Sequence, residues 1–248
     1  MKIILTGYAG HMGREVRTCA EAAENCEIVA GVDPMIPESD GICVKTFEEC
    51  TAEADVIIDF SHHSMTGDLM DFAEKRKLPV VLATTGQTEE EKARIREAAE
   101  KIPVFLAANY SLGIAALTDL VKRAAALYPD GEIEIIEQHH DRKLDAPSGT
   151  ALSLFDAVRE VRPEAEANCG RAGAGKRGKN EIGIHAIRMG NIVGVHEVMI
   201  GTQNERITLK HEAFSRGVFA EGSLKAAAFL SGKAPGKYDM TDLLRGSR

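Results

Sequence analysis

One stretch of this sequence concentrates groups able to move protons and hold anions: Glu137-Gln138-His139-His140-Asp141-Arg142-Lys143-Leu144-Asp145-Ala146-Pro147-Ser148-Gly149-Thr150-Ala151. Histidine exchanges a proton near neutral pH, so His139 and His140 are candidates for proton transfer to a reacting centre. Lys143 adds a cation that can orient a carboxylate. A helix is expected to start near Ser148, because Ala151, Phe155 and Val158 recur on one face and serine is a good N-cap. The amides of Gly149 and Thr150 would then face an anion, with the helix dipole assisting.

Blander readings compete with this one. Two histidines in a polar loop are often only solvated. His139, His140, Asp141 and Asp145 include metal-ligand types, but adjacent histidines point in different directions and no third-ligand spacing completes a known site, so no metal is expected. His185, His196 and His211 fall in strand-like runs and are set aside as sheet or interface residues.

A second constellation opens the chain. Gly7-Tyr8-Ala9-Gly10-His11-Met12-Gly13 follows a strand-like run and begins a helical pattern, the place where a Rossmann turn offers backbone N–H groups to a pyrophosphate. Its spacing is G-x-x-G-x-x-G, with Ala9 where the usual fingerprint has glycine, so the context speaks louder than the motif. Asp33 lies 20 residues beyond Gly13 at the end of the second strand, where a carboxylate can accept hydrogen bonds from the adenosine ribose. That carboxylate would repel a 2′-phosphate, which makes NADH usable. Loops after the fourth and fifth strands should line the same crevice, selecting Ala83-Thr84-Thr85 and Ala107-Ala108-Asn109-Tyr110 as further cofactor-binding candidates.

The elements that must position these groups follow from hydrophobic periodicity. Strands are predicted at Lys2–Thr6, Glu27–Val32, Asp55–Phe60, Pro79–Ala83 and Pro103–Ala107, alternating with helical patterns as βαβ units require. Thr88 and Glu91 have capping-box spacing ahead of a helix running to about Lys101. A helix over Leu112–Leu127 then leads to a strand at Glu132–Glu137, followed by the polar loop and the Ser148 helix. After a Gly-, Lys- and Arg-rich loop from Gly170 to Asn180, three runs at Glu181–Arg188, Asn191–Ile200 and Glu205–Ala213 read as neighbours in a mostly antiparallel meander. A helix over Val218–Leu230 and a short tail near Tyr238–Leu244 close the chain.

The expected fold class is α/β: an N-terminal Rossmann-like parallel-sheet domain over residues 1–108 and an α+β substrate-binding and oligomerisation domain over 109–216. The second sheet is expected to be mixed and mostly antiparallel. The segment 217–248 is a candidate to pack back on the first domain.

Composition narrows the function classes. A net charge of -8 argues against nucleic acid or an acidic membrane as the main partner. No apolar run approaches the roughly 18 to 20 residues of a bilayer span. The five cysteines are odd in number and form no C-x-x-C pair. Met1 leads straight into a strand-like run, and a reducing cytoplasm is the expected location.

Taken together, E-x-H-H-x-x-K-x-D-A-P-S-G-T-A, the G-x-x-G-H-M-G turn, Thr84-Thr85-Gly86, Ala107-Ala108-Asn109-Tyr110-Ser111 and Arg188-x-Gly190-x-Ile192-Val193-Gly194 resemble the dihydrodipicolinate reductase family, also called 4-hydroxy-tetrahydrodipicolinate reductases. The resemblance runs from Gly7 to Gly194 in the expected order. It implies an enzyme of the diaminopimelate route to lysine, a homotetramer that reduces a cyclic dicarboxylate with NADH or NADPH. By position it implies His139 as proton donor, His140 as a substrate contact and Lys143 as a source of a proton and a cation. Ser148, Gly149 and Thr150 would hold a carboxylate. Ala83 stands where the family often has glycine, and Pro34 where NADPH-favouring members carry arginine, so cofactor preference stays open. The residues alone also allow another two-domain NAD(P)-dependent amino-acid dehydrogenase, or an NAD-binding sensor without chemistry.

Overall fold

The structure is a computed structural model that describes residues 1–36 and 41–246. In chain order its strands are β1 (Lys2–Thr6), β2 (Glu27–Val32), β3 (Cys43–Val44), β4 (Val56–Asp59), β5 (Val80–Leu82), β6 (Pro103–Leu106), β7 (Glu132–His139), β8 (Glu166–Cys169), β9 (Glu181–Arg188), β10 (Gly194–Gly201), β11 (Arg206–Ala213) and β12 (Gly236–Tyr238). The helices are α1 (His11–Ala22), α2 (Thr66–Arg76), α3 (Glu89–Ala99), α4 (Leu112–Leu127), α5 (Gly149–Arg159), α6 (Gly217–Leu230) and α7 (Met240–Gly246). The chain divides into two compact units, one formed by Met1–Ser111 with Arg216–Arg248 and one by Leu112–Ser215.

The first unit is built on a seven-stranded sheet in the order β12-β6-β5-β4-β1-β2-β3, with every ladder parallel. Strand order reverses beside β1, the doubly wound arrangement whose ligands sit outside the carboxyl ends of the strands at the switch point. The strands read as near-continuous apolar runs because helices cover both faces of such a sheet. Ile4, Ile57, Val80, Leu82 and Val104 accordingly meet Leu69, Met70 and Ala73 of α2 and Ile95 and Ala98 of α3 in one core. The predicted capping box forms: Glu91 N–H donates to Thr88 Oγ1 at 3.2 Å, and Thr88 N–H donates to Glu91 Oε2 at 2.8 Å. Two short strands, β3 and β12, were not foreseen. β12 extends the sheet beside β6 and belongs to the C-terminal segment.

The second unit has a five-stranded sheet in the order β11-β10-β7-β9-β8. It is mixed, but not the meander the sequence suggested: β7 inserts between β9 and β10. Two ladders are antiparallel (β10 with β11 and with β7) and two are parallel (β7 with β9, β8 with β9). Strand periodicity is local and cannot report this order. One face carries Ile133, Ile135, Ile182, Ile184, Val198 and Ile200, which pack against Ile114, Leu117 and Val121 of α4 and Leu154, Phe155 and Val158 of α5. Arg162 ties this layer together by donating to the carbonyls of Ala125 in the last turn of α4 and of Tyr128 and Gly131 beyond it.

Candidate active site

The glycine turn sits at the carboxyl end of β1, as its sequence context requires. Gly7 has φ +74, and a Cβ there would lie 2.3 Å from the Phe60 carbonyl oxygen. A Cβ on Gly13 would lie 2.2 Å from the Gly7 oxygen, so the first turn of α1 approaches the loop too closely for any side chain. Among the described residues no side chain caps α1. Helix-start amides without a side-chain acceptor, beside a loop that only glycine can form, fit a nucleotide pyrophosphate. His11 is exposed and Met12 half-buried at the start of the same helix.

Asp33 closes the other side of this turn. Its carboxylate accepts from Ala9 N–H at 2.9 Å and from Met35 N–H at 2.9 Å, and the residue is buried. A carboxylate has about four acceptor positions, and among the described residues two of them are used. The Tyr8 ring is buried, and Arg17 stacks on it at 4.2 Å.

At the ends of β4 and β5, Ala83, Thr84 and Thr85 line a cavity of about 200 Å³ with Phe60, Ser61, His62 and His63. The sequence reading missed what shapes it. Asp59, 1% exposed, accepts from the hydroxyls of Thr6, Ser61 (2.5 Å) and Thr84 (2.6 Å), and so joins the ends of three strands. After β6, Ala107 and Asn109 are half-buried and Ala108 is exposed, and Asn109 Oδ1 accepts from Ser111 N–H at 2.8 Å. Tyr110 is different: its hydroxyl donates to the carbonyls of Leu82 (2.8 Å) and Phe105 (3.2 Å), and burial pushes its pKa well above the ordinary value. Its side chain belongs to the core.

In the second unit, β7 runs two residues further than expected and ends on His139. This changes the geometry of the loop reading. Side chains two apart on a strand share a face, so Glu137 and His139 point together toward the helix layer. Glu137 is fully buried, and His139 is 8% exposed with its Nδ1 2.5 Å from Glu137 Oε2. Arg188 of β9 grips the same carboxylate through Nη1 (2.8 Å) and Nη2 (2.7 Å), and Ser148 N–H donates to Oε1 at 3.0 Å. Burial by itself would push the Glu137 carboxyl up; hydrogen bonds from His139, Arg188 and the Ser148 backbone outweigh it and hold the pKa at about 2.

Ser148 is the N-cap of α5, its Oγ accepting from Ala151 N–H at 3.2 Å. Gly149, exposed, and Thr150, half-buried, form the first turn. His196 of β10, which the sequence reading set aside, lies here: its Nε2 is 3.1 Å from Ser148 Oγ and its ring stands edge-on to His139 at 5.2 Å. Burial, then the neighbouring His139, lower the His196 pKa to about 4, so this ring stays neutral at physiological pH. Lys143 pairs with Asp145 at 2.7 Å, half-buried. The His140 backbone N–H donates to Ile192 O at 2.8 Å. The structure therefore joins His139, Ser148 and the α5 start into one hydrogen-bonded cluster. Glu137, Arg188 and His196 belong to that cluster too; only their sheet pairing reveals it. Among the described residues no group of three or more His, Cys, Asp or Glu could hold a metal ion.

A doubly wound nucleotide unit, joined in one chain to a unit with a carboxylate-paired histidine beside an open helix start, defines a two-domain nicotinamide-dependent oxidoreductase. The family model for the N-terminus of dihydrodipicolinate reductase matches residues 1–110, and the model for its C-terminus matches residues 113–244. The chain belongs to the dihydrodipicolinate reductase family. It is 48% identical over 247 residues to the 4-hydroxy-tetrahydrodipicolinate reductase of Caldanaerobacter subterraneus subsp. tengcongensis, covering 99% of this chain and 98% of that one. Identity to the enzyme of the same name from Clostridium tetani is 45%, over 98% of this chain and 97% of that one. Among solved structures, the dipicolinate-bound dihydrodipicolinate reductase of Paenisporosarcina sp. TG-14 superposes with a TM-score of 0.81 at 26% identity, over 96% of this chain and 97% of that one. The cofactor of the family is NADH or NADPH.

Proposed function

We propose that the chain reduces 4-hydroxy-tetrahydrodipicolinate to tetrahydrodipicolinate in the diaminopimelate route to lysine, with the nucleotide on the first unit and the dicarboxylate on the second. The observation that carries this reading is the buried Glu137–His139 pair hydrogen-bonded to the Ser148 helix start. When bound, the reduced nicotinamide would supply a hydride: the hydroxyl leaves as water with a proton from the adjacent ring carbon, and one hydride and one proton add to the conjugated ring that results. Gly7, Tyr8, Ala9, Gly10, His11, Met12 and Gly13 would hold the pyrophosphate and Asp33 the ribose. Ala83, Thr84, Thr85, Ala107, Ala108, Asn109 and the Tyr110 backbone would line the rest of the nucleotide site.

His139 delivers the proton that quenches the negative charge left by hydride addition. The amides of Gly149 and Thr150, set by the Ser148 cap, hold one carboxylate. Lys143 anchors the other and assists departure of the hydroxyl; to do so its ammonium exchanges Asp145 for the substrate. His140 lies next to these groups as a further substrate contact. NADH is the favoured cofactor, because a 2′-phosphate would meet the Asp33 carboxylate.

A homotetramer is part of this reading. Helices cover only one face of the five-stranded sheet, and the other carries Ile136, Met199 and the 40%-exposed Ile187. Light scattering coupled to size exclusion reads the mass directly. All five cysteines are free, which fits the reducing cytoplasm.

The test is a coupled assay supplying freshly made hydroxy-tetrahydrodipicolinate with either nucleotide, competed by pyridine-2,6-dicarboxylate and by pyridine-2-carboxylate. The 2,6-dicarboxylate should compete much the better, and Lys143→Ala should erode the difference by roughly 1.5 to 3 kcal/mol, the worth of a charge-assisted contact. No NADH or NADPH oxidation with this substrate, or equal competition by the two analogues, would sink the assignment.

A further inference from the structure

We infer that Glu137 is the positioning residue of the proton transfer: it fixes which nitrogen of His139 faces the substrate and ties that ring to the helix start that holds the carboxylate. The inference rests on the reading of His139 as proton donor and adds what sets that donor.

A carboxylate with no solvent exposure persists as an ion only if its oxygens are satisfied. Here each oxygen receives two donors. Oε2 takes His139 Nδ1 at 2.5 Å and Arg188 Nη1 at 2.8 Å, while Oε1 takes Arg188 Nη2 at 2.7 Å and Ser148 N–H at 3.0 Å. An ionised carboxylate is an acceptor only, so the hydrogen between it and His139 resides on Nδ1. The reactive nitrogen is then Nε2: it holds the mobile proton when the ring is charged and the lone pair when it is neutral. Nε2 faces Gly194 of β10, where no side chain stands: a Cβ there would lie 3.3 Å from it. This arrangement resembles in kind the carboxylate that orients a general-base histidine in hydrolases.

The carboxylate also spans four segments. It sits on β7, its Arg188 partner comes from β9, and Ser148 starts α5. Arg188 Nη2 further donates to the Asp145 carbonyl at 2.6 Å, in the loop that bears Lys143. One buried anion therefore sets the ring that gives the proton and the amides that hold substrate. The other charged or titratable groups packed around the pair are Arg188, Lys143 and His196; the Glu137 charge also favours the charged form of His196, but its hydrogen bond goes to His139, whereas His196 Nε2 meets Ser148 Oγ.

The experiment has two arms. In ¹⁵N-histidine-labelled wild-type enzyme, long-range proton–nitrogen spectra, assigned by comparison with His139→Gln, should show neutral His139 with its hydrogen on Nδ1. A hydrogen on Nε2 would overturn the inference, whatever the substrate proves to be. In the kinetic arm, Glu137→Gln keeps shape but removes charge; kcat should fall by about 10²-fold while the KM for NADH changes little. The alkaline limb of the kcat/KM profile should move to lower pH, because the charged ring has lost its counter-ion. Glu137→Asp, which keeps the charge, should recover part of kcat and return the limb toward wild type. An unmoved limb in a folded Glu137→Gln enzyme would also overturn the inference. If Glu137→Gln does not fold, the wild-type spectra still decide. Wild-type enzyme inactive on hydroxy-tetrahydrodipicolinate would instead count against the proposed function, since the spectra need no turnover.

Discussion

His196 gives the second unit a stability that should depend on pH in a defined window. In the unfolded chain this imidazole takes a proton below 6.5; in the fold, burial and the neighbouring His139 delay protonation to about 4. Its Nδ1 is buried without a hydrogen-bond partner among the described residues, so a charge there is uncompensated. Between those two values the unfolded chain binds more protons than the folded one, and stability falls as pH falls. Below about 4 this group contributes no further slope. At about 1.4 kcal/mol per pH unit, the loss between pH 7.5 and pH 4.5 comes to about 2.5 kcal/mol. Glu137 and His211 titrate in the same direction: the carboxyl loses its contribution between about 4.5 and about 2, and His211 is lowered by burial. The comparison must therefore be made against His196→Gln, whose amide can still reach Ser148 but takes no proton. Urea unfolding of both proteins, at fixed concentration and across that pH range, should give curves that converge toward acid as the wild type loses its advantage. The NMR titration of the His196 ring should have its midpoint near 4. Parallel stability curves, or a midpoint near 6.5, would show that the ring is solvated and would remove the argument for its neutrality beside His139.

Asp33→Gly should weaken NADH binding and spare or improve NADPH, by removing both a ribose acceptor and a repulsive charge; equal losses in fluorescence titrations would place Asp33 away from the ribose. Gly13→Ala puts a methyl 2.2 Å from the Gly7 carbonyl oxygen and should abolish measurable NADH binding or lower the Tm of the first unit. Asp59→Ala removes the shared acceptor of the buried Thr6 and Thr84 hydroxyls and of the half-buried Ser61 hydroxyl, and should cost roughly 2 to 4 kcal/mol in chemical denaturation. Gly194→Ala places a methyl beside His139 Nε2, so kcat should drop with NADH affinity intact; unchanged turnover would mean that the substrate approaches His139 from elsewhere.

The sequence alone determined whatever depends on neighbours along the chain. Gly7, Gly10 and Gly13 between a strand and a helix located the tight turn into α1, because tight turns and close helix approach are local steric demands. Asp33 at the end of β2, the Thr88–Glu91 capping box and the Ser148 cap are of the same kind: each bond spans a few residues, or one βαβ unit of fixed geometry. The family motif added roles to His139, Lys143 and the Ser148-Gly149-Thr150 start.

Tertiary structure decided what depends on strand order. His139 pairs with Arg188 in the β7–β9 ladder and Glu137 with His196 in the β10–β7 ladder, so residues about 50 positions apart meet around one carboxylate. A meander with β9 beside β10 would have separated them. Alternation marks each run as a strand but carries no information on which strand lies next to it; that is set by which apolar faces α4 and α5 can cover together. For the same reason the place of Tyr110 after β6 did not reveal that its hydroxyl serves two buried carbonyls at the strand ends. Buried carbonyls need donors, and only the packed sheet shows which ones lack them.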